Sequence, residues 1–294
     1  MTAAQKLAEQ SNICARATGM MDEAASQPLR ATVDTLILYG PGVRVGVPAN
    51  GAPVELVLKR WPVLEVVSIQ VALNRLPWNF TSVPSTAWQI KYPVSGLYGS
   101  AAPTAAAEGG QTVLLDPCWL SGNGNGQIGN GPGWGPSWGH NQYAIQVQHV
   151  NGWPHTALTA AATAGASTLQ VDDCTGWIIT APYAGGPTGA TGTVYDAASQ
   201  EVIQVVSASA TQGPGTLTLA APLTFAHAPG VMVSTMPANL GWVAIMFCVS
   251  QALARGATST TVHKIPGGPG EKGAGPAEWA KCARAALASY ARII

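Results

Sequence analysis

The spacing of apolar residues changes twice along this chain. Between Thr2 and Ala25 they recur every three or four positions (Leu7, Ile13/Cys14, Ala17, Met20/Met21, Ala24), the period of a helix with one buried face. Ser26-Gln27-Pro28 closes that run. From Arg30 to Tyr92 the period falls to two, and Leu36–Tyr39, Val45–Val47, Val54–Leu58, Val66–Val71 and Trp88–Tyr92 read as strands. Asn50-Gly51 supplies the positive φ of a hairpin turn between them. The pattern predicts an antiparallel meander with one apolar face, and strict alternation resumes from Gln142 to Val150.

Helical spacing returns after Met236. Leu240, Val243, Ala244, Phe247, Ser250/Gln251 and Ala254 predict a helix over Pro237 to Arg255. Pro237 suits its first turn, and Gly256 suits the position just past its end. A second run opens at Pro276, with Trp279, Cys282/Ala283, Ala286/Leu287 and Tyr290 on one stripe and Lys281, Arg284 and Arg292 off it. Each striped helix must bury its stripe against something. The first helix has no apolar partner nearby in sequence, so the two C-terminal helices are its expected neighbours.

Two stretches separate these ends. Gly96 to Gly139 reads as loop, with Trp119, Trp134 and Trp138 set among Gly, Asn and Pro. Thr156 to Thr235 carries short strands (Thr168–Val171, Thr193–Tyr195, Glu201–Val206, Thr216–Leu219, Val231–Val233) at the spacing of a small sandwich or barrel. The expected class is therefore α+β. Residues 1–30 hold the first helix of a small helical core, and 31–155 an antiparallel β region with a Gly/Asn/Trp-rich loop at 96–139. Residues 156–235 form an inserted β-sandwich or barrel-like module, and 236–294 the helices that complete the core.

Composition narrows the function. The chain has 14 basic and 14 acidic residues, only 10% of its residues are charged, and its net charge is zero. That argues against nucleic-acid binding through a basic surface. A charge-poor surface is a solubility liability for a monomer and suits a chain whose surface meets other subunits. Lys6, Glu9, Arg16, Asp22 and Glu23 break up the first helix, so no signal peptide is expected, and no run is long enough for a membrane-spanning helix. Five widely spaced cysteines without a Cys-x-x-Cys pair read as free thiols of a cytoplasmic product, three of them (Cys14, Cys248, Cys282) on helix stripes.

The chain carries no recognisable catalytic pattern. Histidines 140, 149, 155, 227 and 263 show no metal-ligand spacing. Asp172-Asp173 reads as a turn cap, since neighbouring residues of a strand face opposite sides. The Gly-rich stretches at 122–135 and 267–275 lack a phosphate-binding Gly-x-x-x-x-Gly-Lys pattern, and there is no Gly-x-Ser-x-Gly elbow. The expectation is no catalytic residue, no cofactor and no metal.

Several segments together resemble head–tail connector (head-completion or adaptor) proteins of tailed bacteriophages, especially those of actinobacteria. They are Gln27-Pro28-Leu29-Arg30, Pro41-Gly42-Val43-Arg44-Val45, the block from Leu58 to Ile69 around Arg60-Trp61-Pro62, and Val147 to Pro154. In that family the last strand runs into Pro-x-x-Leu and two helices, which Pro237-Ala238-Asn239-Leu240 supplies here about eighty residues later. The stretch between them is similar to a β insert of phage structural proteins. The resemblance implies a non-enzymatic virion protein of the neck, assembled in the host cytoplasm. It implies a dodecameric ring under the portal protein, contacts to downstream neck and tail-completion proteins, and non-specific passage of double-stranded DNA, with no membrane partner. Lys264, Lys272, Trp279, Lys281, Arg284, Tyr290 and Arg292 are the candidate subunit or portal contacts. Two other readings compete. One is a carbohydrate-binding or tail-fibre-like β protein stacking sugars on Trp119, Trp134, Trp138 and Trp153; the other is a hydrolase with an unrecognised site.

Overall fold

A computed structural model describes residues 2–39, 54–58, 60, 62–72, 77–91, 112–116, 144–179, 188–197, 199–256, 269 and 274–290. The expected strand at Val45–Val47, the Asn50-Gly51 turn, Trp119, Trp134, Trp138, Lys264, Lys272 and Arg292 lie outside the described residues. The described chain is α+β, with three α-helices and antiparallel sheets, and divides into two compact units.

Both termini build the first unit, Met1–Leu29 with Met236–Ile294. Helix α1 spans Ala3–Ala25. Thr2 caps it by accepting from the Gln5 N–H while the Gln5 side chain accepts from the Thr2 N–H. It ends at Ser26, which takes the left-handed conformation (φ 55°) and donates its N–H back to the Asp22 and Glu23 carbonyls. Helix α2 spans Ala238–Ala254 with Pro237 just before it, and α3 spans Pro276–Leu287 with Pro276 in its first turn. Their shared core contains Ala17, Met21, Leu240, Phe247, Ala283 and Leu287, all buried.

Four stripe positions depart from expectation: Leu7, Cys14, Ala254 and Ala286 are exposed. Arg255, just past α2, pairs with Glu9, so among the described residues the α1 turn carrying Leu7 runs beyond the end of α2.

The second unit is Arg30–Thr235. Its first half is a sandwich of two sheets. Strands β1 (Thr32–Tyr39), β3 (Val63–Ala72), β4 (Thr81–Val83) and β7 (Ala144–Asn151) form one sheet in the order β1-β7-β3-β4. Strands β2 (Val54–Val57), β5 (Trp88–Lys91) and β6 (Thr112–Leu115) form the other, in the order β2-β6-β5. Ile69, Val71, Ile145 and Val147 meet Leu56, Trp88, Val113 and Leu115 in the core between them. The predicted meander is corrected. β1 pairs with β7, from Thr32↔Asn151 to Tyr39↔Ala144, and β2 pairs with β6. The segment expected to be loop thus supplies the middle strand of the smaller sheet.

Eight further strands follow: β8 (His155–Ala157), β9 (Thr168–Val171), β10 (Ile178–Ile179), β11 (Thr188–Gly189), β12 (Thr191–Tyr195), β13 (Glu201–Ala208), β14 (Gly215–Leu219) and β15 (Met232–Ser234). Six of them form a sheet in the order β8-β15-β12-β13-β14-β9, and β10 pairs with β11. The two edges of the larger sheet meet. Leu158 bridges Val171, and the Thr159 and Asp172 N–H groups donate to the Gln170 and Ala157 carbonyls, which closes a small barrel. Leu169, Trp177, Val194, Val205, Leu217 and Val233 fill its interior.

The barrel sits directly on the sandwich. Gly176 (φ 76°) lies so close to Leu64, Ala31 and Pro154 that a Cβ there would be 2.7 Å from the Leu64 side chain. Asp172-Asp173 is the turn cap expected: Asp173 Oδ1 accepts from the Thr175 N–H (2.9 Å), the Thr175 hydroxyl (2.6 Å) and the Gly213 N–H (3.1 Å).

Candidate functional site: an apolar face on the terminal-helix unit

Helix α2 reads Ala-Asn-Leu-Gly-Trp-Val-Ala-Ile-Met-Phe-Cys-Val-Ser-Gln-Ala-Leu-Ala and carries no charged residue. Leu240, Val243, Met246, Phe247 and Ser250 are buried and form its inner face. At 100° per residue, Gly241, Trp242, Ile245, Val249 and Ala252 fall together on the opposite side. Trp242 and Ile245 there are 40% and 42% exposed. A helix that is apolar all round belongs in an interior. This one has an interior on one side only.

The remainder of the unit fixes α2 in place. The Ser250 hydroxyl donates to the Pro276 carbonyl (2.8 Å), joining α2 to the start of α3. The Asn239 side-chain amide donates to the Tyr290 hydroxyl, and the Gln27 amide donates to the Tyr290 carbonyl (3.4 Å). Glu278 caps α3 by accepting from the Gly275 N–H at 2.7 Å. Trp242 and Ile245 therefore project from a braced helix.

The nominated contact residues divide. Trp279 and Tyr290 are buried at 4% exposure each, so these two are corrected: they are core of the helical unit. A large aromatic on the stripe of a short helix is consumed by the fold. Lys281 and Arg284 are exposed on α3 and remain available to a partner. Trp242 and Ile245 are functional candidates that the choice of aromatics and cations on α3 misses, and their signal is a helix without a charged residue.

Two polar clusters in the second unit offer the alternative chemistry. Asp34 on β1 accepts from Arg60 Nη1 (2.5 Å) and from the Asn151 amide. Burial would raise its carboxyl, but the Asn151 and Arg60 hydrogen bonds and the nearby positive charge outweigh it and hold it below the ordinary range. His149, opposite Asp34 in the ladder, is buried without a well-formed hydrogen bond at either ring nitrogen, and burial pushes its pKa down.

In the barrel, fully buried His227 lies between Asp196 (Nδ1–Oδ2, 3.1 Å) and Glu201 (Nε2–Oε1, 2.7 Å). Burial would raise the Glu201 carboxyl, but donation from the Thr224 and Phe225 N–H groups and from His227 holds it low. Each carboxylate is already occupied, and the hydroxyls beside them, Thr32 at Asp34 (3.3 Å) and Thr224 at Glu201, are spent as donors to those carboxylates. Among the described residues no group of three or more His, Cys, Asp and Glu side chains is placed to hold a metal ion. These clusters fasten strands and loops.

No family model, no curated protein and no solved structure matches this chain. No helix of the described residues is long and apolar enough to cross a membrane.

Proposed function

We propose that this chain is a non-enzymatic structural subunit of a tailed-bacteriophage neck, a head-to-tail connector that forms a ring beneath the portal. The observation that carries the reading is the solvent-facing apolar side of α2 on a unit made from both chain ends. A ring needs a heterologous contact, in which one patch of each copy meets a different patch of the next. The apolar side of α2 is a ready patch for that contact. Lys281 and Arg284 on α3 supply the charged contact to the portal or to a neighbouring copy. The near absence of net charge fits a channel through which double-stranded DNA must slide, since each neutralised phosphate would strengthen its hold. The ring is dodecameric to match the portal, with neck and tail-completion proteins docking below it.

The carbohydrate-binding reading is weaker. Trp153, one of its four stacking platforms, is buried at 1% exposure in the seam between sandwich and barrel and has no face for a sugar.

Mass photometry of the purified chain, alone and with portal protein, tests the proposal. Rings, or co-migration with portal, support it; a monomer that ignores portal and binds glycans defeats it. Deleting 281–294 is a poor probe, because it removes the Ala283 and Leu287 core contacts. The double charge reversal Lys281→Glu/Arg284→Glu leaves that core intact. It should leave heads forming and block their joining to tails; infectious particles from that variant would remove these two residues from the role.

A further inference from the structure

Among the described residues of the helical unit, the exposed large apolar side chains are Leu7 at 69%, Trp242 at 40% and Ile245 at 42%. They fall on two helices. At 100° per residue, Ala4, Leu7, Ala8, Ser11 and Ala15 share one side of α1, and all of them are exposed. Lys6 and Glu9, the charged residues of that stretch, fall outside it. The result is a second uncharged face, with Leu7 as its large side chain. We propose that this face of α1 covers Trp242 and Ile245 of the next copy, which supplies the second patch of the ring contact. The pairing deepens the ring reading above and rests on it.

The two patches sit at opposite ends of α2. Leu7 lies in the α1 turn that runs beyond the C-terminal end of α2, where Arg255 meets Glu9. Trp242 lies near the N-terminal end of α2, about 20 Å along the axis from Arg255. Leu7 therefore does not reach Trp242 within one copy. A patch at each end, carried on different helices, is the layout of a head-to-tail contact: each copy offers Leu7 forward and presents Trp242 and Ile245 to the copy behind.

Charge selects the same pairing. Helix α2 has no charged residue, so a charged surface laid on its outer side would lose water and find no opposite charge in exchange. The exposed side of α3 carries Glu278, Lys281 and Arg284 and would meet that cost. The uncharged side of α1 does not. Area then favours a ring over a pair. Each face brings a handful of residues, against the roughly 20–30 a side of a standard interface. One such contact is too small to hold two copies firmly, whereas in a closed ring every copy is held twice.

The test places photoreactive benzoylphenylalanine at position 7 of the full chain. This chain is mixed with isotope-labelled parent, assembled, irradiated and digested. The expected product joins the unlabelled α1 peptide to the labelled α2 peptide that contains Trp242 and Ile245. In mass photometry Leu7→Asp should weaken assembly by on the order of 10-fold or more, and Leu7→Met should assemble like the parent. An aspartate near a helix N-terminus is favourable, so Leu7→Asp should keep the parent's circular dichroism. Rings whose position-7 adducts fall within one copy or on other segments would overturn the pairing and leave the connector reading standing. So would Leu7→Asp rings at the parent's concentration. A parent chain that forms no ring would overturn both.

Discussion

Replacing Trp242 and Ile245 together by alanine tests the assembly face directly. Trp242 is 40% exposed, and a tryptophan can bury up to about 250 Å², so a neighbouring copy would cover roughly 100 Å² of it. At about 25 cal/mol per Å² that is roughly 2.5 kcal/mol. Ile245 is 42% exposed, and the same share of the 1.5–3 kcal/mol for full burial adds roughly 1 kcal/mol. A loss of about 3.5 kcal/mol per contact weakens association by on the order of 300-fold.

The isolated subunit should also lose stability, because more than half of each side chain is already covered within it, so the readout must separate assembly from folding. Mass photometry over a dilution series should therefore show the double variant dissociating at concentrations where the parent stays assembled. Its melting temperature as a monomer should fall, but its helical circular dichroism at the assay temperature should match the parent's, which keeps the loss of assembly distinct from unfolding. Val202→Ala is the control: Val202 is 70% exposed on the barrel, outside the helical unit, and its loss should leave assembly unchanged. A parent chain that stays monomeric throughout, or a double variant that assembles at the parent's concentration, would refute the reasoning.

Three further outcomes are expected. Gly189→Ala would put a Cβ 1.7 Å from the Val205 carbonyl oxygen, a backbone atom that cannot step aside, so the barrel should lose about 1–3 kcal/mol or more, read as a lower denaturant midpoint. Phe247→Ala, at a fully buried position in α2, should cost the helical unit about 3–5 kcal/mol through the cavity it leaves, measured by thermal unfolding. Stability should also fall in two stages on acidification. His149 and His155 have pKa values held down by burial, so below about pH 6.5 the unfolded chain binds protons that the folded chain refuses. Asp34, Asp173 and Glu201 are held below their ordinary values, so their contribution is present above about pH 4 and is lost as pH falls through the folded values. Urea midpoints measured from pH 8 to pH 3 should show both stages, and His149→Leu should flatten the first; an unchanged first stage in that variant would exclude His149 from it.

The helices were legible because their ends are chemically marked: Thr2 and Gln5 cap α1, Pro237 precedes α2 and Gly256 (φ 86°) follows it, and Pro276 opens α3 while Glu278 accepts from the Gly275 N–H. The strand partners were not. Alternation shows that Thr32–Tyr39 and Ala144–Asn151 are strands with one apolar face, but pairing between segments so far apart leaves no local trace. Thr112–Leu115 was lost among Gly and Pro because four residues are too few to show a period.

Trp279 and Tyr290 failed as contacts for a different reason. Lys281 and Arg284 stand off the α3 stripe and are exposed, whereas Trp279 and Tyr290 stand on it. An aromatic on a helix stripe is what the core uses first, and Trp279 and Tyr290 went there. The better signal is a remainder. Folding consumes one side of each amphipathic helix, and α2 has a second apolar side on which Trp242 and Ile245 stay about two-fifths exposed. Trp242 and Ile245 become recognisable as a candidate contact only once the buried set Leu240, Val243, Met246, Phe247 and Ser250 has been subtracted. The best stripe in a sequence locates the core, and the apolar residues left beside it locate the partner.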